Sequence, residues 1–238
     1  MSQTSSPPPH HPGLTPLAIT EAALALAHEQ GLASVSIRRL AARLGVTPMA
    51  IYWHIPNKEA LLDAMAAALF VEIPGNDDAT APWQHRLRDL LGAVLMAARA
   101  HPAIAPLLAT RTVSSVPGLE ATERMLDILR TAGYAPTEAT QIGRLAISTI
   151  SNLVGGQPGF LADPQGGSAA TNDAALQLDR LPADHDHDHD HDHYPRILEA
   201  SAPLTAAFSQ EEYFAFGLDL LIAGIVGMAP ASRLAADS

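Results

Sequence analysis

The chain has 238 residues, room for a small domain beside one larger helical domain, and its 47% hydrophobic content is enough to fill a core in each. It has no cysteine, which excludes disulfides, thiol catalysis and cysteine-based zinc sites. A formal charge of −11 rules out a generally basic, nucleic-acid-coating protein, so any contact with nucleic acid must come from a locally cationic face, where phosphate neutralisation acts at short range.

In chain order, residues 1–13 (MSQTSSPPPHHPG) are Pro- and Ser-rich without a basic region leading into an apolar run, and read as a disordered arm rather than a signal peptide. Ser36 can cap a helix whose apolar positions Ile37, Leu40, Ala41 and Leu44 recur at helical spacing, with Gly45 as its left-handed stop. Thr47 followed by Pro48 restarts the chain at once, for a short helix to about His54. Two helices joined so tightly must cross steeply, around Leu40, Val46 and Ile51, and present the second outward as a helix-turn-helix does. No Asp or Glu lies between Glu29 and Glu59, whereas Arg38, Arg39, Arg43 and Lys58 all do, so acidity is kept off this stretch. Asn57 and Lys58 open the next helix, where free backbone N–H groups and an ammonium can hold a phosphate.

Beyond Phe70 the pattern is helical, punctuated by Pro and Gly, with no strand signal. Expected helices run from Trp83 to about Ala100, around Ala103 to Thr110, and from Gly118 to Ala132 with Leu119, Met125, Leu126 and Leu129 on one stripe. Two more run from Thr137 to about Leu153 and from Ser209 to about Met228, the last opened by a Ser-Gln-Glu-Glu capping box. That last helix is apolar around much of its circumference and carries Gly217, Gly224 and Gly227, so it needs more than one partner, and self-association is the economical explanation. The apolar run Leu220 to Ala231 is too short to span a bilayer, and a soluble cytoplasmic protein without membrane partners is expected.

Between the Gly-rich stretch GGQPGFLADPQGGSAA and the capped last helix lie five Asp-His repeats, Asp184 to His193, in an expected flexible loop over residues 156–195. His185, His187, His189, His191 and His193 can chelate zinc, nickel or copper without a preformed site, which would make any divalent metal an adventitious guest rather than a required cofactor. Closed sites draw ligands from rigid elements, so a repeat tolerated in a loop is the plainer reading, and a metal-responsive regulator or metal-binding protein is the alternative. There is no nucleophile elbow, no phosphate-binding Gly-rich loop and no acid/base pair at telling spacing, so an enzyme is not expected.

The runs LTPLAITEAALALAHEQG and SIRRLAARLGVTPMAIYWHIPNKEALLDAM resemble the DNA-binding domain of the TetR family of one-component transcriptional repressors. The YWH triplet and NKEALLDAM bring them near its tetracycline-repressor branch, with weaker echoes in PWQHRLRDLL, LLATR and FAFGLDLLIAG. The resemblance implies an all-α chain with a helix-turn-helix DNA-binding domain over residues 14–73 and a helical effector-binding and dimerisation domain over 74–238. It implies groove contacts from Arg38, Thr47, Pro48, Met49, Ala50, Tyr52 and His54, with Trp53 and Lys58 against the backbone. Arg38 can fork onto a guanine, while Met49 and Ala50 offer only apolar contact to a thymine methyl.

The implied partners are double-stranded operator DNA, a second copy of the chain paired through the helices around 137–153 and 209–228, and a small-molecule effector. Aligning LLATR and PWQHRLRDLL with the branch puts Leu90, Val94 and Leu107 where that branch has polar or aromatic drug contacts, and a glycine near its glutamate, so its magnesium site is not expected here. A pocket of Leu90, Val94, Leu107, Leu108 and Ile147, with Thr110, Arg111 or Asn152 as polar guides, suits a more apolar organic ligand.

Overall fold

A computed structural model describes residues 14–75, 78–155, 194–200, 202–203 and 209–230. The arm 1–13, the Asp-His repeats and nearly all of the loop expected over 156–195 lie outside these residues. Among the described residues the chain is all-α, without a strand, as expected from its sequence.

Local chemistry sets each boundary of the helix-turn-helix. Helix α1, Pro16–Gln30, starts at Thr15, whose hydroxyl accepts the Ala18 N–H at 3.1 Å, and buries Ile19, Ala23, Leu26 and Ala27 along one face. Helix α2, Ile37–Leu44, is capped by Ser36 and stopped by Gly45 at φ 66°, beyond which the Val46 N–H bonds back to the Ala41 carbonyl at 3.0 Å. Helix α3, Pro48–Tyr52, is capped by Thr47 and is shorter than the sequence suggested. The His54 N–H turns back to Ile51 in a tighter closure, and Pro56 follows. Leu40 and Ile51 are fully buried at the α2–α3 crossing, with Val46 half-buried beside them. Helix α4, Lys58–Val71, is capped by the Asn57 side chain and packs on α1.

Helices α5, Trp83–Ala100, α6, Pro106–Thr110, and α7, Val116–Thr131, all pack on α8, Pro136–Gly155, and α4 also reaches α6 and α7. Two sequence expectations are corrected here. Helix α6 begins only at Pro106, whose fixed φ suits a first helical position, and residues 101–105 form turns instead. Helix α7 begins two residues early, under a Ser115 cap; Leu119 lies on its exposed side, and the buried stripe is Ala121, Met125, Ile128 and Leu129. Gly118 in its first turn has to be glycine, since a Cβ there would lie 1.9 Å from the Thr112 carbonyl oxygen.

By its contacts the chain divides into two units, 1–155 with 225–238, and 156–224. In the second unit, α9, Pro195–Glu199, carries an exposed Arg196–Glu199 ion pair. Most of helix α10, Gln210–Met228, belongs to that unit too, and it opens with the expected capping box. The Ser209 hydroxyl accepts the Glu212 N–H at 3.1 Å, while the Glu212 carboxylate accepts the Ser209 N–H at 3.2 Å and its hydroxyl proton at 2.7 Å. Those bonds hold the Glu212 carboxyl below its ordinary range. In the first unit, the C-terminal end of α10 is fixed by Tyr134, a fully buried side chain after α7 whose hydroxyl donates to the Ile225 carbonyl.

Candidate nucleic-acid interface and helical-domain cavity

The outer side of α2 and α3 exposes residue types that a folded domain ordinarily hides. Met49 is 65% exposed, Trp53 70% and Tyr52 46%, all within five residues, with Pro48 exposed and Ala50 and His54 half-buried among them. Thr47 gives its hydroxyl oxygen to the Ala50 N–H at 3.2 Å, and its hydroxyl proton remains available to an acceptor outside the protein.

The cations of this stretch divide into two pairs. Arg43 forks onto Glu29 through two 2.7 Å hydrogen bonds, which hold the Glu29 carboxyl below its ordinary range, and Arg39 donates to the Gln30 amide oxygen at 2.9 Å. Both therefore fasten α2 to the end of α1. Arg38 and Lys58 are exposed and make no ion pair among the described residues, so they are the cations this face can offer to phosphates or base edges. Lys58 stands at the first position of α4, beside backbone N–H groups that have no partner within the helix.

Behind the interface, a cavity of about 440 Å³ is bounded by α4 to α8, within the size range of sites for drug-sized molecules. Of the pocket residues expected from sequence, Leu90, Thr110 and Ile147 line it. Val94, Leu107 and Leu108 do not: they are buried in the packing of α5 and α6, because the short register of α6 commits both of its leucines to the core. Asn152 is exposed on α8.

Arg111 is the largest departure from the expected pocket. Its guanidinium, 19% exposed, reaches from the α6–α7 corner to the first turns of α4, bonding Asp63 at 2.7 Å, the Glu59 carboxylate, and the Glu59 backbone carbonyl at 3.3 Å. The Glu59 hydrogen bond, then that to Asp63, raises its already high pKa, so it is a cation at any working pH. A denaturant-unfolding cycle over Arg111→Met, Asp63→Asn and the double variant should give a coupling of about 1 kcal/mol. Strictly additive effects would mean that the pair does not hold the corner to α4.

The lining residues that sequence reasoning missed lie mainly on α7 and α8. Thr140, Gly143, Arg144 and Ile147 recur at i, i+3, i+4 and i+7 on α8, facing Ala121, Thr122, Met125 and Leu126 of α7. The available signal was an apolar stripe broken by hydroxyl, glycine and arginine. Among the described residues no group of three or more His, Asp or Glu side chains is placed to hold a metal, and no described helix is long and apolar enough to cross a membrane.

A helix-turn-helix with an exposed recognition helix, packed on a helical bundle with its own cavity, defines a DNA-binding transcriptional regulator rather than an enzyme. Residues 19–65 match the bacterial regulatory proteins of the tetR family, and residues 74–229 match the tetracyclin repressor-like C-terminal domain. The chain belongs to the TetR family. It is 31% identical over 181 residues to the tetracycline repressor protein class A from transposon 1721 of Escherichia coli, covering 71% of this chain and 76% of that protein. Its fold is similar to that of apo ActR from Streptomyces coelicolor, with a TM-score of 0.72 at 22% identity over 92% of this chain and 98% of that one. BioQ solved with its double-stranded DNA operator matches at a TM-score of 0.57 and 22% identity, over 90% and 99% of the two chains.

Proposed function

We propose that this protein is a dimeric, cytoplasmic repressor that holds a palindromic operator through residues 14–73 and releases it when a small, largely apolar organic effector fills the cavity bounded by α4 to α8. The observation that carries this reading is the position of Arg111. Its neighbours Thr110 and Thr112 line the cavity, while its own side chain grips α4, the helix that begins with Lys58. An effector that pushes on the α6–α7 corner therefore bears on the phosphate anchor, which is the differential contact that ligand-dependent release requires.

In this reading Arg38 reads a base edge, Thr47, Pro48, Met49, Ala50, Tyr52 and His54 fill the groove, and Trp53 and Lys58 rest on the backbone. Exposure of the large side chains supports it. Two copies pair through the outward faces of α8 and α10, supported by exposed Leu145 on the first and exposed Phe216, Leu220 and Met228 on the second. The two recognition helices then fall about 34–36 Å apart, one turn of the duplex. The matched segments 19–65 and 74–229 support the division between domains.

Fluorescence anisotropy on DNA taken from upstream of its own gene, titrated with salt and with nonspecific competitor, tests the proposal. Arg38→Ala should cost about 1–3 kcal/mol and relax discrimination at one base position, and Lys58→Ala should weaken all sequences alike and lower the salt slope by about one. Variants that bind as the parent does would remove the groove assignment.

A further inference from the structure

The hydrogen-bonding capacity of the cavity is uneven. Four threonines line it, and each has already used its one hydroxyl proton on the carbonyl a turn before it: Thr110 on Pro106 at 3.2 Å, Thr112 on Leu108 at 2.5 Å, Thr122 on Gly118 at 2.8 Å and Thr140 on Pro136 at 2.9 Å. Toward the cavity these hydroxyls present only oxygen lone pairs. No described lining residue is Asp or Glu, and the single charged side chain among them is Arg144, which makes no hydrogen bond or ion pair among the described residues. In a chain of formal charge −11, the described lining of the cavity thus has one unspent cationic fork, the exposed Arg144, and otherwise acceptors and apolar walls.

We propose that the effector is an amphipathic organic anion: a carboxylate or sulfonate held by the Arg144 guanidinium, an apolar body against Phe70, Leu90 and Met125, and O–H or N–H donors turned toward the threonine oxygens. A guanidinium matches a two-oxygen anion by two parallel hydrogen bonds, and the exposed Arg144 leaves its fork open to one at the cavity wall. A cationic ligand finds no counter-charge among the described lining residues and meets Arg144 as a like charge. Ligand donors are favoured because the threonines cannot donate without breaking bonds they already make. The inference rests on the cavity being the effector site.

Two fluorescent probes that share one ring skeleton separate charge from apolar fit. 1-Anilinonaphthalene-8-sulfonate carries the anion and N-phenyl-1-naphthylamine lacks it. Each is titrated into the full chain, Arg144→Gln, Arg144→Lys and a cavity-filling Ile147→Trp, and binding lost in Ile147→Trp is scored as cavity binding. The expected result is about tenfold tighter cavity binding of the sulfonate, lost in Arg144→Gln and partly kept in Arg144→Lys, with the neutral probe unchanged within about twofold in both Arg144 variants as the check that they are folded. Equal binding of both probes, blocked by Ile147→Trp but indifferent to Arg144→Gln, overturns the anionic class while leaving the cavity as a ligand site. Binding of both probes that Ile147→Trp does not alter overturns the cavity reading itself, and the anion with it.

Discussion

Leu220→Glu should leave the protein monomeric and weaken its binding to a full operator by about 10²–10⁴-fold, the range lost when a second, tethered contact is removed. Helix α10 has two faces with different occupations. Phe214, Leu218, Ile222, Ile225 and Ala229 are buried, at spacings of four, four, three and four, while Phe216 (69% exposed), Leu220 (63%), Gly224 and Gly227 form an outward stripe. Large apolar groups beside glycines on a free face are what a close helix-to-helix contact uses, and the proposed dimer occupies this stripe. A carboxylate at position 220 would be buried without a partner at the dimer axis, yet in the single chain it points to solvent and disturbs no core. Sedimentation velocity and anisotropy on full and half operators check both halves of the expectation. A Leu220→Glu protein that stays dimeric and binds the full operator as the parent does would exclude this face of α10 from the interface.

The parts of this molecule legible in its sequence are those decided within four residues. Ser36, Thr47, Asn57 and Ser209 each cap a helix by a bond to the residue three positions on, and Gly45 stops α2 through its own left-handed φ, so type and order could be read directly. Charge was legible only in part. The absence of acid between Glu29 and Glu59 marked the right face, but Glu29 at the edge of that window takes Arg43, a pairing fixed by how α1 meets α2. The cavity was least legible. Leu107 and Leu108 read as lining residues because apolar side chains look alike in core and pocket, and which of the two they join is decided by the packing of α6 on α4 and α8, distant in sequence. Arg111 lies 52 residues from Glu59, and no local pattern announces a contact across that separation.

Tyr134 is a second long-range contact, and Tyr134→Ala should cost about 3–5 kcal/mol of stability, the range for removing a buried aromatic ring. The ring is fully buried, and its hydroxyl donates to the carbonyl of Ile225, 91 residues away. Gly133, at φ 92°, turns the chain after α7 so that the Tyr134 N–H closes on Leu129 at 3.1 Å, and Arg130 bonds the Tyr134 carbonyl at 2.5 Å. The ring is thus aimed by its own turn before it meets α10. Tyr134→Phe separates the two contributions: it keeps the ring and leaves the Ile225 carbonyl without that donor, at an expected cost of about 1–2 kcal/mol. Urea unfolding of both variants, with midpoint and slope compared, gives the measurement. If Tyr134→Phe cost as much as Tyr134→Ala, the hydroxyl rather than the packing would carry the contact. If neither shifted the midpoint, the last turn of α10 would not depend on this ring, and the outward stripe that ends there would need another support.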